Sequence, residues 1–391
     1  MTRSLQSVPD DNPRELQALL RLALTAQGAA VMPVPGHAPP AQVAVVPRRV
    51  AVVIETSGST GVPKRVMLGT NALLASAAAS SVALGGPGPW LLALPAHYIA
   101  GVQVLVRSIA AETTPLVLSQ GRFDAAEFIR LAGRFTEPLR FTSLVPVQLA
   151  RLMDAAVQDR PSLRVLRSFT AILVGGQAVP ADLLRRADDL DLHVVRSYGS
   201  SETAGGCVYD GTPIGDTTVR AVDGELEISG AVLAEGYLGD AARTAENFTV
   251  EHGVRWYRTG DLGAVSAATG IVRVFGRADN VIISGGEKVS LDAVERIVRS
   301  LPGLAEAVVA RGDDAEWGQV PLVVVPVAAG AAGADLERIR EAVAAVLGKA
   351  ARPSLVVTVP SIPVLSSGKP DRQAVQRILA EAGEARRAEA Q

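Results

Sequence analysis

Short apolar β-type runs alternate with helical segments through about the first 200 residues of the chain. Alternation of this kind is typical of a largely parallel sheet covered by helices on both faces. Because ligands bind outside the carboxyl ends of such strands, the loops that follow the strands are the first places to look for a site. The predicted strands are Val50–Ile54, Trp90–Leu94, Pro115–Leu118, Arg140–Val145, Ala171–Val174 and His193–Val195. The predicted helices span residues 71–82, 101–111, 124–135, 147–157 and 182–189.

The pattern changes after about residue 205 and again near residue 279. Short alternating strands and frequent glycines predict a small β-rich subdomain, and a mixed pattern follows, opened by a serine-capped helix at Ser290–Ser300. We therefore expect an α/β fold with a large N-terminal layered body over residues 1–278 and a small α+β C-terminal lobe over 279–391. The other predicted elements are strands at Glu225–Ser229, Val254–Tyr257, Ile271–Phe275, Ala307–Arg311, Leu322–Val327 and Leu355–Val359 and helices at Ala334–Leu347 and after Asp371.

Composition excludes several classes of function. The net charge of −2 over 391 residues, without a basic stripe, argues against nucleic acid as a partner. A single cysteine, Cys207, excludes an intrachain disulfide, and the first residues are not an apolar signal, so we expect a cytoplasmic protein. The stretch between Arg65 and Arg107 carries no Asp, Glu, Lys or Arg, but glycines and prolines divide it, which argues against stable membrane insertion.

Lysine is rare in this chain, at four of its 38 basic side chains. Three of the four, Lys64, Lys288 and Lys369, lie in glycine-rich segments. Lysine is a compact charge on a flexible stem, suited to reaching a phosphate or a reacting carboxylate. This pairing of rare lysines with glycine loops predicts chemistry on a phosphoanhydride.

Two segments have the composition of a nucleotide site. Thr56–Lys64 follows a strand, and its glycines allow backbone N–H groups to approach phosphate oxygens while hydroxyls and an ammonium add donors. It is not a Walker A loop, because Lys64 follows a proline. Tyr198–Thr203 follows another strand, where Tyr198 offers a flat face for a purine and Glu202 a hard oxygen ligand for Mg²⁺.

Two later segments are weaker signals when taken alone. Asp261 lies in a Thr-Gly-Asp turn, where its carboxylate could accept both hydroxyls of a ribose or simply cap the turn. Residues 276–289 begin with Arg277 and Asp279 at the presumed joint between body and lobe and end in a glycine turn. Asp279 could serve as a hinge.

The order and spacing of these segments, together with the Ser-Ser-Gly-Lys motif ending at Lys369, closely resemble the adenylate-forming acyl- and aryl-CoA synthetase family. The resemblance covers about residues 50–378. In that family a carboxylate attacks the α-phosphate of MgATP to give an acyl-adenylate, and the thiol of CoA then releases AMP. The resemblance implies ATP, Mg²⁺ and coenzyme A as cofactors and a small carboxylic acid as substrate, and it leaves a homodimer open.

The resemblance also implies roles for individual residues. In the nucleotide site, Tyr198 would stack on the adenine with Gly199 and Ser200 beside it, Glu202 would bind Mg²⁺ and Thr203 the α-phosphate, and Asp261 and Arg277 would bind the ribose. The β- and γ-phosphates would be held by Ser57, Gly58, Ser59, Thr60, Gly61 and Lys64, and the adenine wall would be Gly175, Gly176 and Gln177.

The C-terminal lobe would be mobile, swinging about Asp279 between the half-reactions. Lys369 would be the catalytic lysine of adenylation, where its charge is needed because two anions are joined. Gly285 and Gly286 would line the pantetheine channel after the swing. Asn280 stands where the family often has a second acidic residue, so the electrostatics of the hinge depart from the family pattern.

The acid is suggested by a second resemblance within the family. The chain is short, and its segment Leu94–Arg107 looks like that of the o-succinylbenzoate–CoA ligases of menaquinone synthesis. His97 would lie between the acyl pocket and the nucleotide as a catalytic and substrate-binding residue, and Gly175 would lie beside the acid. Arg107 is our hypothesis for the partner of the second carboxylate, because it is the only Lys or Arg between Arg65 and Arg122.

Three alternatives stay open. The chain could be an aryl- or acyl-CoA ligase for another acid, or a ligase that stops at the adenylate or passes the acyl group to a carrier protein. It could also be a non-catalytic module that binds adenylates, although such a module would have no need of Lys369 or Glu202.

Overall fold

The structure is a computed structural model that describes residues 1–36, 44–56, 63–314, 316–327, 335–365 and 369–389, with side chains described up to residue 382. The predicted phosphate-binding residues Ser57, Gly58, Ser59, Thr60 and Gly61 lie outside these ranges. Lys64 and Lys369 lie inside them.

Strands and helices alternate through the first 200 residues, as the periodicity predicts. The strands are β1 (Thr2–Pro9), β2 (Ala30–Val34), β3 (Ala44–Pro47), β4 (Val50–Thr56), β5 (Lys64–Gly69), β6 (Trp90–Leu92), β7 (Leu116–Val117), β8 (Phe141–Leu144), β9 (Ala171–Gly175) and β10 (Val194–Ser200). The helices are α1 (Pro13–Leu24), α2 (Thr70–Ala83), α3 (Ile99–Ala110), α4 (Ala125–Ala132), α5 (Pro146–Ala156), α6 (Arg160–Arg167) and α7 (Ala181–Asp189).

The remainder of the chain is rich in strands. These are β11 (Gly205–Tyr209), β12 (Thr212–Pro213), β13 (Thr218–Val222), β14 (Glu225–Ser229), β15 (Gly236–Tyr237), β16 (Phe248–Glu251), β17 (Val254–Val265), β18 (Val272–Arg277), β19 (Val281–Ser284), β20 (Glu287–Ser290), β21 (Val308–Asp314), β22 (Gly318–Pro326) and β23 (Leu355–Val359). The helices are α8 (Ala241–Asn247), α9 (Leu291–Ser300), α10 (Leu336–Leu347) and α11 (Arg372–Glu389). Short 3₁₀ turns lie at Ser201–Thr203, Ala278–Asn280 and Lys349–Ala351.

A seven-stranded sheet, ordered β12-β11-β10-β9-β8-β6-β7, is parallel from β10 to β7. Helices cover both of its faces. Because successive side chains point to opposite faces, Ala171 and Leu173 of β9 pack with α1–α3, while Ile172 and Val174 pack with α4–α7. The predicted parallel sheet with two covered faces is confirmed. The carboxyl ends of its parallel strands lead into the loops at His97 and Gly176 and into the turn after Ser200.

The first 49 residues, to which the sequence assigned no element, contribute to a second sheet ordered β15-β5-β4-β2-β1-β3. Its β2 is buried along its whole length, and α1 packs on it through Leu16 and Leu20, which are fully buried. The sequence also passed over α6, although Asp159 caps it. The strand predicted at His193–Val195 is longer than expected, since Tyr198–Ser200 continue β10 and pair with β11.

A third sheet, β13-β14-β17-β16 with β18 on β17, forms the predicted β-rich subdomain. A fourth, β20-β19-β22-β21 with β23 on β22, uses only residues that follow Asn280, and α9 and α10 pack on it through Val294, Val298 and Val343. Ser290 caps α9 by accepting the N–H of Ala293, as the sequence predicts. The C-terminal region therefore has its own sheet and core.

Candidate functional site

A partly open cleft with a cavity volume of about 90 Å³ lies where the carboxyl ends of the parallel strands face the β-rich subdomain. Seven residues that the sequence singled out line it together. They are Lys64, Tyr198, Gly199, Ser200, Glu202, Asp261 and Arg277. Ile228, Tyr257 and Thr259, which the sequence did not single out, complete its wall.

One side of the cleft holds an ion pair between two sheets. The Lys64 ammonium, at the start of β5, donates to Glu202 Oε1 at 2.5 Å, and the Tyr237 hydroxyl donates to the same oxygen at 3.0 Å. Burial alone would raise the pKa of the Glu202 carboxyl, but the Lys64 charge and hydrogen bonds hold that pKa below its ordinary value. Glu202 is therefore an anion inside the protein, with a cation as its partner.

The other side of the cleft is a chain of hydrogen bonds around Asp261. The Tyr198 hydroxyl donates to Asp261 Oδ2 at 2.7 Å, and Arg277 Nη1 donates to Oδ1 at 3.2 Å. Burial raises the pKa of Asp261, although its two partners oppose that rise. Register explains the meeting of Asp261 and Arg277, because these residues are directly paired across β17 and β18.

Arg277 also joins the cleft to the predicted hinge. Its Nε and Nη2 donate to the two carboxylate oxygens of Asp279 at 3.2 and 3.3 Å. Asp292, at the start of α9, accepts the Arg277 backbone N–H and the Asn280 side-chain amide, both at 2.7 Å. The sequence did not single out Asp292, whose signal was only an acidic residue in the first turn of a helix. The Arg277 guanidinium thus connects the cleft to Asp279, in the segment that leads into the C-terminal region.

Lys369 approaches the large body at Gly176, just beyond β9. A Cβ placed on Gly176 would lie 3.1 Å from Lys369 Cε and 3.8 Å from its Nζ. Gly176 adopts a φ of +82°, which favours glycine. Lys369 is exposed as a whole residue, but its ammonium loses part of its hydration to burial, which lowers its pKa. No described carboxylate pairs with this lysine, so its charge is available to a ligand.

The remaining predicted adenine-wall residues lie beside this contact. Gly175 lies at the end of β9, paired with Ser197, and a Cβ there would come within 2.6 Å of the Ser197 carbonyl. Gln177 follows Gly176 in the same loop and is half-buried.

Thr203, which the resemblance implies as the α-phosphate contact, stabilises the turn that follows β10 in this structure. Its hydroxyl is fully buried, donates to the Gly205 carbonyl at 2.8 Å and accepts the Ser200 N–H at 2.8 Å. This side chain shapes the turn between β10 and β11 and is not part of the cleft wall. The family resemblance was the signal for a phosphate contact, and the residue type alone does not distinguish a turn-forming hydroxyl from a ligand-binding one.

His97 lies in the loop between β6 and α3 and is paired with a residue that the sequence did not single out. Its Nδ1 is 2.7 Å from Oδ2 of Asp10, the residue that follows β1. Its Nε2 is buried and has no hydrogen-bond partner among the described residues.

Arg107 lies in the last turn of α3 and is only 6% exposed. Its Nη2 donates to the Tyr209 hydroxyl at 3.3 Å, and its guanidinium carbon lies 4.7 Å from the centroid of the Trp90 ring. The Tyr209 hydroxyl is also 2.8 Å from Ser80 Oγ. Within the described part of the chain no carboxylate pairs with Arg107, and its Nε has no partner. The core thus holds a cation that lacks an anion.

Gly285 and Gly286 form the two-residue turn of the β19–β20 hairpin, with φ values of +55° and +84°. Both are exposed, and Gly285 packs against Trp317, whose backbone carbonyl accepts its N–H at 2.8 Å. This turn belongs to the C-terminal sheet and takes no part in the wall of the cleft in this structure.

Among the described residues no group of three or more His, Cys, Asp or Glu side chains could hold a metal ion by itself. In the same part of the chain, no helix is both long and apolar enough to cross a membrane.

Comparison with protein-family models gives two matches. The model described as AMP-binding enzyme matches residues 4–238, and that described as AMP-binding enzyme C-terminal domain matches residues 293–369. The first match includes the N-terminal strands β1 to β3, which the sequence pattern does not predict.

Two curated relatives carry similar names. A probable 2-succinylbenzoate–CoA ligase of Mycobacterium tuberculosis is 40% identical over 334 residues, which is 85% of this chain and 85% of the relative. The 2-succinylbenzoate–CoA ligase of Bacillus licheniformis is 34% identical over 295 residues, covering 69% of this chain and 59% of the relative.

Two solved structures share the fold. The o-succinylbenzoate CoA synthetase (MenE) of Bacillus subtilis, in complex with the acyl-adenylate intermediate OSB-AMP, aligns with a TM-score of 0.72 at 23% identity, over 94% of this chain and 82% of its own. Escherichia coli MenE with a bound analogue of OSB-AMS aligns with a TM-score of 0.70 at 25% identity, over 96% of this chain and 88% of its own.

Proposed function

Because the chain belongs to the AMP-binding enzyme family, we propose that it activates 2-succinylbenzoate (o-succinylbenzoate) with ATP and transfers the acyl group to coenzyme A. The carboxylate attacks the α-phosphate, forming the acyl–phosphate bond and releasing pyrophosphate. The thiol of CoA then attacks the acyl carbon, loses its proton and displaces AMP.

The observation that carries the proposal is the meeting of the predicted residues in one cleft, with the Lys369 ammonium at Gly176 nearby. Tyr198, with Gly199 and Ser200 beside it, forms the adenine site. Asp261 and Arg277 hold the ribose, since Asp261 lies at the surface of the cleft and can accept hydroxyls. Gly175, Gly176 and Gln177 form the wall beyond β9.

The phosphates would lie on the side of Lys64 and Glu202. Glu202 fits a Mg²⁺ ion that one protein carboxylate and the nucleotide phosphates hold together, which is how proteins often bind this cation. Bound there, Mg²⁺ would neutralise phosphate charge. The Lys64 ammonium, now paired with Glu202, would then be free to donate to phosphate oxygens along with Ser57, Gly58, Ser59, Thr60 and Gly61.

Lys369 would supply the positive charge for adenylation, because two anions must approach one another for the reaction to occur. We propose the boundary between the body (residues 1–278) and the lobe (279–391), with Asp279 as hinge. A turn of the lobe about this point would withdraw Lys369 and bring Gly285 and Gly286 to the cleft for the thiol. Thr203 would reach the α-phosphate only after its hydroxyl leaves the turn it now stabilises.

The acid would extend from His97 along α3, with its reacting carboxylate near Gly175. Arg107 lies eight positions after Ile99, or about 12 Å further along the helix axis. The remote carboxylate of a diacid could therefore meet the Arg107 guanidinium deep in the body. A buried cation without an acidic partner is costly, and an anionic substrate group would remove that cost.

Pyrophosphate release tests the proposal directly. The protein is incubated with ATP, Mg²⁺, CoA and 2-succinylbenzoate, in parallel with benzoate and a fatty acid. Release with the diacid, together with its CoA thioester, is expected. A thioester with another acid would identify a different ligase, an adenylate without thioester would identify an adenylating enzyme, and no pyrophosphate exchange with any acid would favour an adenylate-binding module. The cytoplasmic location and the homodimer are further parts of this proposal.

A further inference from the structure

Asp10 and His97 form a buried pair that joins two sheets. Asp10 follows β1 of the N-terminal sheet, and His97 follows β6 of the parallel sheet, 87 residues later. Their side chains are only 5% and 11% exposed.

The backbone of Asp10 is anchored on both sides. Its N–H donates to the Val34 carbonyl at 2.9 Å, and its own carbonyl accepts the Gln120 side-chain amide at 2.7 Å. The carboxylate therefore reaches His97 from a position that neighbouring strands and loops hold in place.

An ionised carboxylate can only accept hydrogen bonds, so the 2.7 Å contact requires the proton on His97 Nδ1. The other ring nitrogen, Nε2, is buried without a partner among the described residues. A buried polar atom without a partner is costly, which suggests that a ligand meets it. Burial opposes ionisation of Asp10, but the His97 side chain and the backbone amides of Ala96 and His97 lower its pKa.

We infer that Asp10 is a positioning residue, which holds the proton on His97 Nδ1 and so presents Nε2 to the acid or its adenylate. Only the identity of the ligand in this inference rests on the proposed function. The alternative is a purely structural role, in which Asp10 ties the 95–98 loop to the N-terminal sheet.

The histidine tautomer can be read from long-range ¹H–¹⁵N spectra of the full-length protein at pH 8, with a His97→Asn variant to assign the signal among four histidines. In the wild type we expect a protonated Nδ1 on His97. In Asp10→Asn the side-chain oxygen would accept the backbone N–H groups of Ala96 and His97, as the carboxylate does in the wild type. The side-chain N–H₂ would then donate to Nδ1 of His97. Because Nδ1 must now accept, the ring proton would move to Nε2.

Pyrophosphate exchange then measures the consequence. We expect Asp10→Asn to lower kcat or raise the KM for the acid, with a combined loss of about 10- to 100-fold and an unchanged KM for ATP. The exposed neighbour, Asp11→Asn, carries the same charge change and should behave as the wild type.

A double-mutant cycle separates positioning from structure. If Asp10 acts through His97, the variant with both substitutions is no slower than His97→Asn alone, whereas independent structural damage would add to it. Losses that add would overturn the inference. A wild-type His97 protonated only on Nε2 would overturn it whatever the activity. An absence of exchange in the wild type would instead overturn the proposed function, and the tautomer measurement would still decide the role of Asp10.

Discussion

Replacing Arg107 by methionine should change stability and substrate binding in opposite directions. Withdrawing a guanidinium from water costs several kcal/mol even after the protein relaxes. The Tyr209 hydroxyl offsets about 1 kcal/mol of that cost and the Trp90 ring about 2 kcal/mol. Methionine is apolar and flexible enough to fill the space. We therefore expect Arg107→Met to stabilise the free protein by about 1 to 3 kcal/mol.

The same substitution would leave the remote carboxylate of the diacid without a partner. Breaking a desolvated charge pair costs about 2 to 5 kcal/mol. The smaller value already corresponds to a rise of about 30-fold in the KM for 2-succinylbenzoate.

Urea unfolding measures the change in stability, and pyrophosphate exchange at varied concentrations of 2-succinylbenzoate measures the change in its KM. The KM for ATP should stay unchanged, and so should the KM for benzoate if the enzyme turns it over, since benzoate has no second carboxylate. Arg130→Met, on the exposed side of α4, is the matched control, with neither effect expected. The reasoning is refuted by an Arg107→Met protein that is less stable than the wild type and has an unchanged KM for the diacid.

Three further predictions concern the cleft. Lys369→Ala should slow pyrophosphate exchange by about 10²- to 10³-fold, yet leave thioester formation from preformed acyl-adenylate within about tenfold; exchange at the wild-type rate would contradict the role of this lysine. Asp261→Asn should raise the KM for ATP about tenfold through a lost charge-assisted hydrogen bond, with the KM for the acid as the control. Lys64→Met should cost about 2 to 4 kcal/mol at pH 7, because it leaves the Glu202 carboxylate buried and unpaired. In the wild type the pKa of Glu202 is lowered on folding, so the pair stabilises the protein above the unfolded pKa and this contribution is lost as pH falls through the folded value. In Lys64→Met, burial without the cation raises the pKa of Glu202 on folding. The contribution of Glu202 to stability should therefore decline as pH rises. Urea unfolding from pH 4 to pH 7 compares the two slopes, and parallel slopes would count against the ion pair.

Patterns among residues close together in the sequence were sufficient to predict many of the strands and helices of this protein. The alternation of apolar runs predicted the parallel strands, because a strand buried on both faces needs apolar side chains throughout. The cap at Ser290 was predicted correctly, since the hydrogen bond that defines it spans three residues. The order of the glycine and lysine motifs was enough to indicate the family, and several of the residues that it singled out line one cleft.

Contacts between distant parts of the chain were decided by the tertiary structure alone. Lys64 and Glu202 are 138 residues apart, and their ion pair exists because β5 and the turn after β10 meet across two sheets. Asp10 had no local signal, since its contact with His97 joins residues that are 87 positions apart. The extension of β10 through Ser200 depends on pairing with β11.

Arg107 shows the same division most clearly. Its isolation among uncharged residues was visible in the sequence, and that isolation suggested a role. Its burial against Trp90 and Tyr209, without a carboxylate nearby, follows only from the packing of α3 on the sheet. Residue type and spacing can be read directly from the sequence, whereas burial and charge pairing arise only when the helices and strands pack together.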